Sequence, residues 1–222
     1  MPRRYSYPEN LLSALHLNEE TQRMISYDVL TDDQRKGLEY ALSALSEREQ
    51  IVLREHFVEG IGYRAVGLHY NLSESRTRSI IRDALCWLCK NPAWLYYITD
   101  GFEARTAYLR QQLQTEEQIY RERCGITSPT HLYYQGLDAL HLPAKLHNPL
   151  SRNDIKTVRE VIIFLCLSAR IRNFGALSRA ALREHLVQEN LLPADGALPC
   201  CNAEVPRLDL EVQVFRTLNT HS

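Results

Sequence analysis

The chain has 222 residues, of which 45% are hydrophobic and 24% are charged, and its formal net charge at pH 7 is −1. This balance is typical of a globular protein with one large domain or two small ones, and it excludes a chain that is basic throughout. The charge is uneven: residues 61–92 carry 5 Lys and Arg against 2 Asp and Glu, and residues 145–190 carry 8 against 4. Two basic islands are what two separate DNA-contacting patches need, with chance clustering as the alternative.

No apolar run approaches the roughly 20 residues of a membrane span, and the first residues lack the apolar centre of a signal peptide. We therefore expect a cytoplasmic protein without a membrane partner, whose six cysteines are reduced. Cys86 and Cys89 with Cys200–Cys201 are conceivable zinc ligands, but the first two lie late in a predicted helix rather than in a zinc-binding turn. We expect them to be buried small hydrophobes, and we predict no metal site and no cofactor.

Two capping boxes mark the starts of two helices upstream of the first basic island. Thr31 pairs with Gln34 in the first box. Ser46 pairs with Glu49 in the second, at the same three-residue spacing. The second helix is expected to end at Val58 and to bury its apolar side against the segment that follows.

Residues 62–88 predict two short helices joined by a tight turn. The first helix is expected over Tyr63–Tyr70. Asn71 tolerates the left-handed backbone of a turn, and Ser73 has the chemistry of an N-cap for the next helix. From Thr77 to Leu88, mostly apolar residues recur at three- and four-residue spacing and form a stripe along one side of the second helix. This side must be buried.

The other side of the second helix is polar. At about 100° per residue, five side chains fall within roughly 140° of arc, with the first turn leading: Glu74, Ser75, Arg78, Ser79 and Arg82. A helix in the major groove touches base edges with its N-terminal residues, where Arg78 can bind a guanine and Glu74 can accept from a cytosine amino group. Arg76 and Arg82 are expected on phosphates. An amphipathic helix with a solvated polar face is the alternative.

Residues 45–90 resemble the fourth conserved region of bacterial sigma-70-type factors, in which a helix of the type L-x-x-R-E-x-x-V-L precedes a helix-turn-helix. The residues in register are Leu45, Arg48, Glu49, Val52, Leu53, Phe57, Val66, Gly67, Ser73, Arg76, Arg78, Ala84 and Leu85. That family reads the −35 promoter element, so the resemblance implies double-stranded promoter DNA as partner. By resemblance, the base-reading candidates are Glu74, Ser75, Arg78 and Ser79. The predicted DNA-binding residues at the major groove are Ser73, Glu74, Ser75, Arg76, Arg78, Ser79 and Arg82. Ser75 replaces a commonly acidic residue, and Thr77 a usually apolar one.

The recognition helix is expected to stop at Asn91-Pro92, because proline cannot continue the hydrogen-bond ladder of a helix. The apolar cluster Trp94–Ile98 is expected to pack back on the first domain, with a partner surface as the alternative. Phe102–Arg123 is then predicted as a long polar helix with a thin apolar stripe, which suits a spacer between modules. Pro129 marks the next boundary.

A second module is predicted from an apolar pattern that starts at Leu137 and continues on a helix to Leu165. A turn over residues 172–175 precedes a last helix, Ala176–Gln188. The amides that follow Gly175, aided by Ser178, suit a phosphate, and a plain helical corner is the alternative.

Residues 136–190 resemble the C-terminal domain of the bacterial RNA polymerase alpha subunit. The matching residues are Leu140, Leu142, Asn148, Leu150, Ile155, Thr157, Val158, Phe174, Gly175, Ser178 and Leu182. That family binds the minor groove of A·T-rich DNA through a helix-hairpin-helix-like surface. By position, the residues of this surface correspond to Lys145, Asn148, Gly175 and Ser178. Lys145 stands where the family has an arginine, and Lys lacks the planar fork of Arg. Pro143 and Leu177 also replace polar or basic residues.

We therefore predict an all-α protein whose helix-turn-helix domain and alpha C-terminal domain-like module are joined by a helical spacer. The expected divisions are residues 1–98, the spacer 99–130, the second module 131–193 and a C-terminal tail 194–222. The alternating apolar residues of the tail leave a short strand and an ordered arm open. We assign no function to residues 1–30.

The predicted function is that of a transcription initiation or regulatory factor that recognises promoter DNA, with auxiliary DNA contact from the second module. RNA polymerase core and other transcription factors are the further partners considered. The alternative is a protein-interaction adaptor that docks on RNA polymerase or activators. We predict no enzyme, since the sequence offers no nucleophile with its base and oxyanion donors and no acidic cluster for a nuclease metal. Any polymerase activity would belong to the complex that the protein joins.

Overall fold

The computed structural model describes residues 6–15, 30–167, 170–196 and 205–220. Within these ranges the protein has eleven α-helices and no strand, which confirms the all-α prediction. The chain forms two compact units, Met1–Ala107 and Tyr108–Ser222. The division falls inside a long helix rather than in a loop.

The described residues of the first unit contain six α-helices and the beginning of a seventh. They are α1 (Glu9–Ala14), α2 (Asp32–Ser43), α3 (Glu47–Leu53), α4 (Tyr63–His69), α5 (Glu74–Lys90), α6 (Pro92–Asp100) and α7 (Phe102–Arg123). A π-helical turn, Arg54–Val58, continues α3.

Both capping boxes form as predicted. The side chain of Thr31 accepts a hydrogen bond from the amide of Gln34, whose own side chain accepts from the amide of Thr31. Ser46 and Glu49 make the same reciprocal pair at the start of α3. These local bonds satisfy amides that a helix N-terminus otherwise leaves without partners.

The core of the first unit lies between α5 and the helices around it. The predicted stripe of α5 is buried: Thr77, Ile80, Ile81, Ala84, Leu85 and Leu88. Trp94 and Ile98 of α6 join the same apolar cluster, so the cluster after Pro92 packs on its own domain. α2 packs closely on α6, since a Cβ placed on Gly37 would lie 1.7 Å from the carbonyl oxygen of Tyr97.

The described residues of the second unit contain the end of α7 and four further α-helices. They are α8 (Ala144–Ser151), α9 (Val158–Cys166), α10 (Ala176–Gln188) and α11 (Arg207–Thr220). Seven of the nine residues of α9 are buried, and all seven belong to one apolar cluster. The Tyr120 hydroxyl on α7 donates to the carbonyl of Leu191 at 2.6 Å inside this unit.

In the described part of the C-terminal tail the short strand does not form, and α10 is not the last helix. The alternation of apolar residues suggested a period of two, but the tail from Arg207 to Thr220 is helical. Leu210, Val214 and Leu218, spaced by four residues, are all buried in the second unit's core. The helical period therefore decides which side chains are buried, and the alternation is incidental.

A half-buried ion network ties three helices of the second unit together. Arg159 of α9 donates from Nε and Nη2 to the carboxylate of Glu117 on α7, at 2.9 and 3.1 Å. It also reaches Glu211 of α11 at 3.4 Å, and Tyr133 donates its hydroxyl to Glu117. Burial lowers the pKa of Arg159, but the hydrogen bond and charge of Glu117 more than offset this, so the net pKa is raised.

Candidate nucleic-acid interface

The turn between α4 and α5 has the predicted chemistry. Asn71 takes a left-handed conformation with φ of 55°. Ser73 caps α5, since its hydroxyl oxygen accepts a hydrogen bond from the amide of Arg76 at 3.2 Å. The residue types that the sequence places at the corner therefore form a helix-turn-helix.

The two helices approach each other closely at Gly67. A Cβ at this position would lie 2.7 Å from the carbonyl oxygen of Leu72 and 3.0 Å from Oγ1 of Thr77. Val66, beside it, is fully buried. The corner thus requires glycine at residue 67, because any larger side chain would push α4 away from the start of α5.

Thr77 shows how a hydroxyl is accommodated in this core. The side chain is fully buried, and its Oγ1 donates to the carbonyl of Ser73 at 3.2 Å. A buried hydroxyl that finds a partner within its own helix avoids most of the free-energy cost of leaving water. Threonine at position 77, where the resembled family usually has an apolar residue, is therefore compatible with the packing between α4 and α5.

The predicted DNA-contacting residues lie on the solvent side of α5. Ser73, Glu74, Ser75, Arg76, Arg78 and Arg82 are exposed, and Ser79 is half-buried. The apolar stripe lies on the other side of the helix. α5 thus separates an apolar side that packs in the unit from a polar side rich in arginine.

Arg78 is held by two neighbours. Its Nε and Nη2 donate to Oε1 of Glu74, at 3.2 and 2.6 Å. Its guanidinium carbon lies 4.6 Å from the centre of the Tyr63 ring, and the His56 ring stacks on Tyr63 with centres 4.1 Å apart. The sequence did not single out Tyr63 or His56, since only the packing of α4 and the π-helical turn against α5 brings them to Arg78.

Ser79 and Arg82 share Asp83. The Ser79 hydroxyl donates to Asp83 Oδ2 at 3.0 Å. Arg82 Nη2 lies 3.3 Å from both the Ser79 hydroxyl and Asp83 Oδ1. The pairs are exposed, and such pairs contribute about 0–1 kcal/mol to stability, so they can exchange partners when an anion approaches. Asp83 was also missed, although its position four residues after Ser79 is a usable signal.

Glu55 in the π-helical turn fastens the end of α4. Its carboxylate accepts from the Tyr70 hydroxyl and pairs with Nδ1 of His69 at 3.0 Å. The Tyr70 hydrogen bond is the main reason that the pKa of Glu55 lies below its usual range. Burial opposes this effect, and His69 adds to it. The contact holds the first helix of the corner against the helix before it.

The candidate residues of the second unit lie on two helices that pack together. Lys145 and Asn148 are exposed on α8. Gly175 is the N-cap of α10, where no side chain caps the helix, and Ser178 is half-buried in the first turn. Leu177 in the same turn is 88% exposed.

The cysteines of α5 differ from expectation. Cys86 is exposed and Cys89 is half-buried, so the prediction of buried small hydrophobes is wrong for Cys86. Cys86 follows Arg82 by four residues and therefore falls on the polar side of α5. Cys200–Cys201 lies outside the described residues. In those that are described, no three His, Cys, Asp or Glu side chains group as metal ligands, and every helix is too short or too polar to cross a bilayer.

This geometry defines the first unit as a helix-turn-helix, a class that presents its second helix to DNA. Residues 41–88 match the family model of sigma-70, region 4. The match covers the whole corner and supports a DNA-binding helix-turn-helix of transcription regulation. It ends before the second unit and gives no support to the alpha-subunit resemblance. No curated protein and no solved structure matches the chain.

Proposed function

We propose that the first unit recognises double-stranded promoter DNA, and that the protein acts as a transcription initiation or regulatory factor. The observation that carries this proposal is the polar side of α5, which exposes three arginines over residues 73–82 next to a buried apolar stripe. The family match over residues 41–88 supports the same reading. RNA polymerase core and other transcription factors are the protein partners that this role implies.

The contacts divide by chemistry. Arg78 reads a guanine edge, and Glu74, Ser75 and Ser79 lie beside it for further base contacts. Ser73, Arg76 and Arg82 face the phosphates, which fix the register of the helix without selecting a sequence.

The test is a salt-titrated binding selection from a pool of random DNA duplexes. We expect the wild-type protein to enrich one sequence and the Arg78→Ala variant to lose the preference at one base pair, worth about 1–3 kcal/mol of discrimination. Arg35→Ala is the matched control, since Arg35 is an exposed arginine on α2. Unchanged selection by Arg78→Ala would reject the assignment of base reading.

The second unit is proposed to add an auxiliary contact through Lys145, Asn148, Gly175 and Ser178. Two linked modules bind more tightly than either alone when the linker allows both to engage. Lys145→Ala should then lower affinity for all duplexes alike and reduce the salt slope by about 1. A change in the enriched sequence instead would place Lys145 among base-reading residues.

A protein-docking role for the second unit is the alternative, and the exposure of Leu177 favours it. A leucine that is 88% exposed in the first turn of α10 suits a protein contact better than a phosphate. Leu177→Asp should abolish binding of the protein to purified RNA polymerase core and leave duplex binding unchanged. Loss of duplex binding with intact polymerase binding would favour the DNA contact.

A further inference from the structure

Tyr63, the first residue of α4, lies against the guanidinium of Arg78. The guanidinium carbon is 4.6 Å from the ring centre, within the distance at which the negative face of an aromatic ring attracts a cation. The Arg78 side chain is 60% exposed. The contact therefore lies at the surface that the proposed function turns toward DNA.

A third side chain holds the tyrosine ring. His56 stacks on Tyr63 with an angle of 29° between the ring planes. The histidine is anchored in turn, because its Nδ1–H donates to the carbonyl of Ile61 at 2.8 Å. The ring that meets Arg78 is thus fixed by the π-helical turn and the loop after it.

Glu74 holds one edge of the guanidinium while Tyr63 covers its plane. Oε1 of Glu74 accepts from Nε and Nη2, which form one fork of the guanidinium. Within the described ranges, the side-chain hydrogen bonds of Arg78 go to Glu74. The second fork, formed by Nη1 and Nη2 at the tip, is the one that matches O6 and N7 of guanine.

We propose that Tyr63 is a positioning residue for Arg78, which it orients so that the terminal fork of the guanidinium meets a guanine edge. This inference rests on the proposed function, in which Arg78 reads a guanine, and it adds that Tyr63 orients Arg78 for that contact. Arginine loses much rotamer freedom when it is ordered. An arginine that is already ordered in the free protein loses less of this freedom when DNA binds.

The test is a double-mutant cycle measured on two duplexes. One is the duplex that the wild-type protein enriches from the random pool, and the other has the Arg78-dependent guanine replaced. Tyr63→Leu removes the aromatic face and should weaken binding to the enriched duplex by about two- to fivefold. In the Arg78→Ala background, and on the replaced duplex, it should have no effect. Tyr63→Phe keeps the face and should bind as the wild type does.

Equal losses in both backgrounds mean that Tyr63 acts only through the fold, and they overturn the inference. Tighter binding by Tyr63→Leu also overturns it, because Tyr63 then withholds Arg78 from DNA. Circular dichroism checks the helix content of Tyr63→Leu. If that variant loses helix, the same cycle is run with Tyr63→Met, whose flexible side chain fills the space.

The failure of the inference and that of the proposed function differ in outcome. A wild-type protein that enriches no sequence overturns both. Enrichment that depends on Arg78 but not on Tyr63 overturns the positioning role and leaves the proposed function standing.

Discussion

The two units use arginine in opposite ways. In the first unit, Arg78 pairs with Glu74 at the surface, where the side chains are 60% and 44% exposed. In the second, Arg159 lies between Glu117 and Glu211, whose side chains are only 16% and 11% exposed. An exposed pair contributes little to stability and can change partners. A largely buried pair leaves an uncompensated charge when one member is removed, so breaking it destabilises the fold.

The contrast between the exposed Arg78 and the largely buried Arg159 network predicts the largest loss of stability on mutation of Arg159. Arg159→Ala should lower the free energy of unfolding of the second unit by about 3 kcal/mol, because Glu117 then remains largely buried without its cation, whereas Glu211 keeps Arg207 at 3.0 Å. Urea denaturation followed by circular dichroism measures the change.

Two variants serve as controls for that experiment. Arg216 pairs with Glu116 between α11 and α7, but its side chain is 55% exposed, and Glu116, which is 18% exposed, also accepts from Asn219 at 3.0 Å and so keeps a donor without Arg216. Arg216→Ala and Arg78→Ala should each change the free energy of unfolding by less than about 1 kcal/mol. If Arg78→Ala lowered the free energy of unfolding as much as Arg159→Ala does, the two arginines would not differ in their contribution to stability.

The next effect concerns the corner that presents Arg78. Gly67→Ala should destabilise the first unit by about 1–3 kcal/mol, since the added Cβ would meet the Leu72 carbonyl at 2.7 Å. DNA affinity should fall with it, because α4 carries Tyr63. Thermal unfolding and duplex binding measure both consequences.

Gly62→Ala is the matched control for Gly67→Ala. A Cβ at Gly62 would have nothing within 4 Å, and the backbone there is extended, with φ of −69°. A variant at Gly67 that unfolds and binds like the wild type would show that the helices are not in the close contact described.

The smallest effect is a dependence on pH at the start of α9, where Thr157 and Glu160 form a third capping box. The Glu160 carboxylate accepts from the amides of Lys156 and Thr157, at 2.8 and 3.1 Å. The Lys156 hydrogen bond is the main reason that the pKa of Glu160 is lowered, and burial opposes it. Because the folded pKa lies below the unfolded value of about 4.3, this stabilisation is present above that pH and is lost as the pH falls through the folded pKa.

Glu160→Gln tests this dependence directly. Glutamine serves in the corresponding box at Gln34, so the variant should keep its cap at pH 7. Its acid-induced loss of stability should be smaller than that of the wild type by on the order of 0.5–1 kcal/mol, after allowance for solvent screening. Denaturation at pH 7 and pH 3.5 gives the difference, and parallel pH profiles would contradict the role of Glu160.

Prediction from sequence succeeded where the interactions are local. The boxes at Thr31 and Ser46, the left-handed Asn71 and the cap at Ser73 each depend on residues at most four positions apart. It failed at Cys86, because the expectation of burial followed the residue type, whereas the helical position four residues after Arg82 puts this side chain on the polar side of α5. It failed also at the tail, where apolar residues fit periods of two and four equally well until the core to be covered is known.

The sequence by itself determined the helical class, the corner at Asn71 and the division of α5 into an apolar and a polar side, because short-range sterics and side-chain periodicity govern all three. Only the tertiary structure decided which arginine pairs at the surface and which pairs in a half-buried network. Arg159 meets Glu117 and Glu211 across 42 and 52 residues of chain, and Tyr63 meets Arg78 where α4 packs against α5. No local pattern encodes such pairings, since they exist only once separate helices pack against one another.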